Sequence, residues 1–203
     1  ITDSLVGSEM CIRDRRSVIA KMRRTAARTI DLVRNLQHLH QMQARAIGML
    51  GARSNLNQSI YAVIESTWRE SRAEPNLVVD LSPEPLWVEV DRVQLERVFA
   101  NLFGNALKYT PRDATITVQS RVEDSYAVVS FTNSAPVIPQ HELESLYTRY
   151  TRGSNAQHVT GSGLGLYIVK YILDRVGGSI KVESNKQLGT RFTVTLALST
   201  KTN

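Results

Sequence analysis

Two pairs of alternating segments constrain this chain more than any other feature. "ATITVQSRV" and "YAVVSFTN" lie either side of Glu123-Asp124, and "SIKVES" and "TRFTVTLAL" form a second pair near the C-terminus. Apolar residues recur in them at every second position, so one face of each strand seeks a core and the other tolerates water. Antiparallel hairpins of this kind need a second layer over their apolar face. The segments "RVQLERVFANLFGNALKY" and "LGLYIVKYILDRV" supply it, because their apolar residues recur at helical spacing. The expected fold is α+β: a two-layer α/β sandwich, one mixed sheet covered on one face by helices, preceded by a long α-helix.

That long helix is expected from Ser17 to about Leu50, where proline is absent and Ile19, Met22, Ala26, Ile30, Val33, Leu36 and Leu39 form a stripe. The stripe is too long for a lone surface helix, and pairing in a hairpin or dimeric bundle would bury it. "GARSNLNQ" (51–58) reads as a boundary, and "QSIYAVIESTWRESRA" as a second helix. "NLVVDLS" and "LWVEVD" are short β-rich runs. Asp91 is placed to cap the helix that ends at Tyr109, before Thr110-Pro111. "PQHELESLY" should be a short helix, and the polar run from Thr148 to Gly163 a mobile loop. Residues 1–15, "ITDSLVGSEMCIRDR", resemble a translated sequencing adapter and are expected to be non-native, Cys11 included. The expected division is residues 1–15, a partial dimerisation helix at 16–55 and a catalytic unit at 56–203.

Charge and cysteine usage narrow the function classes. A single cysteine excludes an internal disulfide, and four scattered histidines lack zinc-ligand spacing. The net charge of +6 comes largely from Arg13, Arg15, Arg16, Lys21, Arg23, Arg24 and Arg28. No aromatic residue interleaves that basic run, so it reads as a solvated helix face and not as a nucleic-acid surface. No apolar run is long enough to span a bilayer.

Within "NLFGNALKYT" (101–110), Asn101, Asn105 and Lys108 share one helical face opposite Leu102, Phe103 and Ala106. Amide oxygens are hard, neutral ligands suited to Mg²⁺, which also takes phosphate oxygens. Lysine adds a compact charge for the same phosphates, and Tyr109 offers a flat wall for a base. The alternative for these polar residues is ordinary capping and surface polarity. "GSGLGL" (161–166) opens a helix after a polar loop, where glycines allow close approach of an anion to free N–H groups. "FTNSAPVIPQ" (131–140) ends a strand with Asn133, either an acceptor for an exocyclic amine or a simple Asx-turn.

In this order the three segments resemble the ATP-binding domain of sensor histidine kinases, within the wider family of gyrase, heat-shock chaperone and mismatch-repair ATPases. The resemblance covers roughly residues 56 to 198. "NLFGNALKYTP" is similar to the N box, "LYTRYTRG" (146–153) to the F box, and "GSGLGLYIVKYILDRVGGSIKVES" to the G2 box with its helix and strand. It implies that Asn105 holds Mg²⁺, with Asn101 near the metal and phosphates and Lys108 on phosphate. It further implies that Tyr109 lies against adenine, that Tyr147 and Tyr150 replace the usual phenylalanines, and that Arg152 moves with the loop toward the phosphates. Asn133, Ile138, Tyr150, Gly161, Ser162, Gly163, Leu164, Gly165, Leu166 and Thr190 complete the implied ATP site. Asn101, Asn105, Lys108 and Arg152 are the implied catalytic group.

Two departures stand out. The family commonly has Asp-x-Gly-x-Gly where this chain has Asn133-Ser134-Ala135-Pro136-Val137. Ala135 and Val137 remove backbone freedom and are expected to narrow the adenine pocket. The phosphoacceptor box, a His followed by Glu-x-x-x-Pro, has no counterpart here, since the surroundings of His38 and His40 do not resemble it. The segment around them looks like the second helix of the dimerisation hairpin.

The resemblance implies a protein histidine kinase that transfers the γ-phosphoryl group of ATP, with Mg²⁺, to a histidine for relay to a response-regulator receiver domain. It implies a homodimer through the N-terminal helix and a cytoplasmic location, and it allows an inner-membrane anchor in a full-length parent. Related hydrolases carry a water-activating glutamate where this chain has Asn101, which favours transfer over hydrolysis. The alternatives are a degenerate, non-catalytic dimerisation module, or an anti-sigma-type serine kinase, which would lack the long helix.

Overall fold

The computed structural model describes residues 52–70, 75–154 and 161–200, together with twelve positions between Arg15 and Gln37. Those twelve positions are all helical and exposed; Ile19, Met22, Ala26, Ile30 and Val33 of the expected stripe are among them, and so is Val18. His38, His40, Cys11, Leu36 and Leu39 lie outside the described residues.

The folded body begins with a two-residue strand, β1 (Ser54–Asn55), and helix α1 (Leu56–Glu70). Strands β2 (Asn76–Asp80) and β3 (Trp87–Val88) lead to helix α2 (Arg92–Tyr109), and then to β4 (Thr115–Glu123) and β5 (Tyr126–Asn133). Two short 3₁₀ turns, Gln140–Glu142 and Glu144–Tyr147, stand where one helix was expected, because the eight residues between Pro139 and the extended Thr148 give few propagation steps to offset the cost of nucleating an α-helix. Helix α3 (Gly165–Arg175) and the hairpin β6 (Ser179–Asn185) and β7 (Gly189–Ala197) complete the fold.

The sheet order is β2-β4-β5-β7-β6. Within this sheet β2 and β4 are the parallel pair, joined by the crossover helix α2, and the other pairs are antiparallel, so the sheet is mixed as expected. Inward positions Ile116, Val118, Ala127, Val129, Phe131, Phe192, Val194 and Leu196 join the helices in one core running from Leu56 to Leu196. Phe99 of α2 meets Phe131 of β5 with ring centroids 5.9 Å apart, and Trp68 of α1 stacks on Phe103 at 6.4 Å. Each fully buried side chain of this size contributes about 1.5–3 kcal/mol relative to exposure.

Two expectations shift at the start of the body. "LWVEVD" yields only β3, which pairs antiparallel with β1 inside the stretch that read as a boundary. Helix α1 begins at Leu56, earlier than expected, because the Asn55 side-chain oxygen accepts from the N–H groups of Asn57 at 3.0 Å and Gln58 at 3.4 Å. Asparagine at that place is a favoured N-cap. At α2 the expected cap is present: the Asp91 carboxylate accepts from the Gln94 N–H at 3.2 Å.

Candidate functional site

Between α2, α3 and the end of β5 lies a cavity of about 540 Å³, within the usual size of a small-molecule site. Because α2 buries Leu95, Val98, Phe99, Leu102, Phe103 and Ala106, its opposite face is turned to this cavity. Asn101, Asn105, Lys108 and Tyr109 lie along that face, one helical turn after another.

Each side chain is held differently. Asn101 donates through Nδ2 to the Arg97 carbonyl at 2.9 Å, leaving Oδ1 against the start of α3. Asn105 and Lys108 make no hydrogen bond or ion pair among the described residues, so an amide oxygen and an ammonium are both available to a ligand. The Tyr109 hydroxyl accepts from the Arg152 guanidinium. Burial pushes the Tyr109 phenol above its ordinary pKa, and the positive charge of Arg152 pulls part of that back.

At the opposite wall, Asn133 is 4% exposed and donates through Nδ2 to Thr110 Oγ1 at 3.1 Å. Thr190 pairs with Asn133 in the sheet register, and its hydroxyl meets Ser184 Oγ at 2.9 Å. Ala135 is on the cavity wall whereas Val137 is 40% exposed and not part of the lining. Of the two residues expected to narrow the pocket, Ala135 is the one that lines it.

The polar loop and α3 close the site. Gly163 has φ +73°, and a Cβ there would come 2.8 Å from the carbonyl carbon of Tyr150, so a side chain would block the crossing of the two segments. The Tyr150 N–H donates to the Gly163 carbonyl at 3.0 Å with Tyr150 itself in the left-handed region at φ +63°. Helix α3 begins without a side-chain cap among the described residues, and Gly165 and Leu166 of its first turn line the cavity. Uncapped N–H groups at a helix start favour an anion.

The lining thus brings together Asn101, Asn105, Lys108, Tyr109, Asn133, Ile138, Arg152, Gly161, Ser162, Gly163, Gly165, Leu166 and Thr190. Two expected residues are elsewhere. Leu164 is fully buried in the core, since the apolar side of α3 turns inward there, and Tyr150 is 57% exposed at its strained turn. Glu96, Arg97 and Gly104 also line the cavity and were not anticipated, although extending the polar stripe of α2 by one turn would have found them. Burial lowers the Arg97 pKa, and nearby Asp91 partly offsets this. Glu96 is paired with Arg92 at 2.6 Å. The wall therefore offers Arg97, Lys108 and Arg152 against one paired carboxylate, a field suited to a polyanion.

Comparison with known proteins agrees with this geometry. Residues 90–200 match the family described as histidine kinase-, DNA gyrase B- and HSP90-like ATPase. The sensor protein EvgS of Escherichia coli (strain K12) is 36% identical over 118 residues, which is 56% of this chain and 10% of EvgS. The sensor protein KdpD of the same strain is 29% identical over 185 residues, 89% of this chain and 20% of KdpD. This chain therefore spans only a small part of the curated relatives it matches. Among solved structures, the mycobacterial sensor histidine kinase MprB superposes with a TM-score of 0.67 at 27% identity, over 72% of this chain and 98% of that one. The catalytic domain of histidine kinase ThkA gives 0.62 at 28% identity, over 72% and 95%.

Proposed function

This chain belongs to the histidine kinase-, DNA gyrase B- and HSP90-like ATPase family, and on that premise we propose that it is the ATP-binding catalytic part of a two-component sensor histidine kinase. One observation carries the reading: the amide–amide–ammonium face of α2, the uncapped start of α3 and the Asn133 amide all line a single cavity.

The residues fit magnesium ATP. Asn105 has an amide without a partner among the described residues, its oxygen suits a hard divalent cation, and phosphate oxygens and waters would complete the shell. Magnesium, when bound, neutralises charge on the phosphate oxygens during transfer. Lys108 and the first-turn N–H groups of α3 hold the phosphates, while Asn133 and Tyr109 receive the base. Arg152, hydrogen-bonded to Tyr109 in this structure, lines the cavity and brings further N–H donors toward the phosphates. The reaction itself needs only positioning: a histidine nitrogen attacks the γ-phosphorus, the bond to the β–γ bridging oxygen breaks, and ADP leaves. The residue at 101 is an amide tied to the Arg97 carbonyl, with no basic group to activate water. That arrangement favours transfer to a side chain over hydrolysis.

Exposed Val18, Ile19, Met22, Ile30 and Val33 support a dimer formed through the N-terminal helix, and a receiver domain would take the phosphoryl group onward. No helix among the described residues is long and apolar enough to cross a membrane. The test is transfer from γ-labelled ATP to a supplied dimerisation-hairpin peptide carrying its histidine. The native chain should label the peptide and Asn105→Ala should not. Equal labelling by both, or none by either, would overturn the reading.

A further inference from the structure

We infer that Thr110, which does not line the cavity, sets the selectivity of the site for a 6-amino over a 6-oxo purine by fixing the orientation of the Asn133 amide. This rests on the reading of the cavity as a nucleotide site.

The argument begins in the sequence. Thr110 precedes Pro111, and a residue before proline is driven to extended backbone. Thr110 adopts φ −86° and ψ 127° and ends α2. Its own N–H donates to the Ala106 carbonyl at 3.0 Å, and its hydroxyl lies 2.6 Å from the same oxygen. A carbonyl cannot donate, so the single hydroxyl proton of Thr110 is committed to Ala106. Only a lone pair of Oγ1 then remains for Asn133, 3.1 Å away, and a lone pair demands an N–H. Nδ2 must therefore face Thr110. Oδ1 is left without a protein partner among the described residues, on a side chain that lines the cavity.

The backbone beneath this amide is equally fixed. Asn133 pairs with both Ile116 and Thr190 in the sheet, and its carbonyl accepts from the Ala135 N–H at 2.8 Å. With the residue only 4% exposed, exchange of the amide's two ends is the motion that matters for the cavity, and the bond to Thr110 opposes it. A carboxylate would present oxygen in either orientation. An amide presents oxygen only while something holds its nitrogen elsewhere, so the asparagine at 133 makes Thr110 necessary.

An oxygen facing the base accepts from the amino group of adenine and repels the carbonyl of hypoxanthine or guanine. Without the Thr110 hydroxyl, the amide is free to turn its nitrogen toward the cavity, where a 6-oxo base is accepted instead.

Inosine triphosphate is the probe, since its purine differs from adenine at the 6-position. Affinities for magnesium ATP and magnesium ITP would be measured by calorimetry for the native chain, Thr110→Val, Thr110→Ser and the double variant Thr110→Val/Asn133→Asp. Far-ultraviolet circular dichroism would report folding, with Thr110→Ala replacing the valine variant if that one does not fold. The native chain should prefer ATP, and Thr110→Val should lose about tenfold or more of that preference. Thr110→Ser should keep it, and the double variant should regain it because a carboxylate has no donor end. A valine variant with native preference, or a serine variant as relaxed as the valine one, would overturn the role of Thr110 while leaving the nucleotide site intact. A native chain that binds both triphosphates equally would do the same. A native chain that binds neither would overturn the nucleotide reading, and this inference with it.

Discussion

Asn101 on α2 and Gly165 at the first position of α3 fit edge to edge: a Cβ on Gly165 would fall 2.7 Å from Asn101 Oδ1 and 3.6 Å from its Cγ. Asn101 cannot simply swing aside, because its Nδ2 is bonded to the Arg97 carbonyl. Gly165→Ala should therefore displace either that amide or the first turn of α3. Alanine is favoured over glycine in a helix by up to about 1 kcal/mol, so the fold should tolerate the change. The expected outcome is a melting temperature within a few degrees of native and an ATP affinity weakened about tenfold or more. Calorimetry and a thermal scan on the same sample check both halves.

A buried polar network holds the start of α1 to the sheet. Asn57 donates to the carbonyls of Ser82 at 2.9 Å and Glu84 at 3.2 Å, and its Oδ1 accepts from the Ser120 hydroxyl at 2.8 Å. Ser120 Oγ in turn accepts from the Ser82 N–H at 3.0 Å. Asn57→Ala would take its partner from two carbonyls of the β2–β3 loop and from the buried Ser120 hydroxyl on β4, and should cost about 2–4 kcal/mol. Urea denaturation should show a lower midpoint with an unchanged slope. A loss below about 1 kcal/mol would mean that water replaces the amide.

Why this network was invisible beforehand separates what a sequence shows from what it hides. The hairpins, α2 with its Asp91 cap and the polar face of Asn101, Asn105 and Lys108 depend on neighbours within a turn or a strand, and periodicity reports those. Asn57 finds partners 25, 27 and 63 residues away, so in the sequence it looked like part of a loop. The β1–β3 pairing escaped for the same reason, since Ser54 meets Val88. Leu164 stood in a glycine-rich phosphate motif, yet its apolar side chain was captured by the core. Spacing along the chain picked out residues that line one cavity, but which atoms of Asn101 and Asn133 face it depends on bonds that only the fold creates.

The Tyr147 hydroxyl is buried with no hydrogen-bond partner among the described residues. Burial pushes its pKa from the ordinary 10.0 up to about 12. Below pH 10 the phenol is neutral in folded and unfolded chains and this effect is silent. Between pH 10 and 12 the unfolded chain releases the proton first, so folding stability falls as pH rises. Tyr147→Phe should remove that alkaline component. At neutral pH it should be neutral or stabilising by up to about 1 kcal/mol, because an unpaired buried hydroxyl is lost. Melting temperatures at pH 7 and across pH 10–12 decide it. A variant less stable than native at pH 7 would reveal a partner for the hydroxyl.

On the proposed reading, Asn105 is a position of α2 where metal binding and folding can be measured apart. Its amide has no partner among the described residues, so Asn105→Ala leaves nothing unsatisfied, and alanine is the better helix former. The ligand-free variant should melt at or slightly above the native temperature. Magnesium ATP at 100 times its dissociation constant should add about 2.7 kcal/mol to the native chain, or roughly 5–10 °C for a protein of this size. Chelation of magnesium should remove most of that shift in the native chain. In Asn105→Ala the shift should be small from the outset and insensitive to the chelator. Lys108→Ala should behave differently: its residual shift should still require magnesium, and added salt should weaken it less than native, because one phosphate-facing charge is gone. A metal-dependent shift of native size in Asn105→Ala would move the cation away from α2, and would leave Lys108 and the start of α3 as the phosphate contacts.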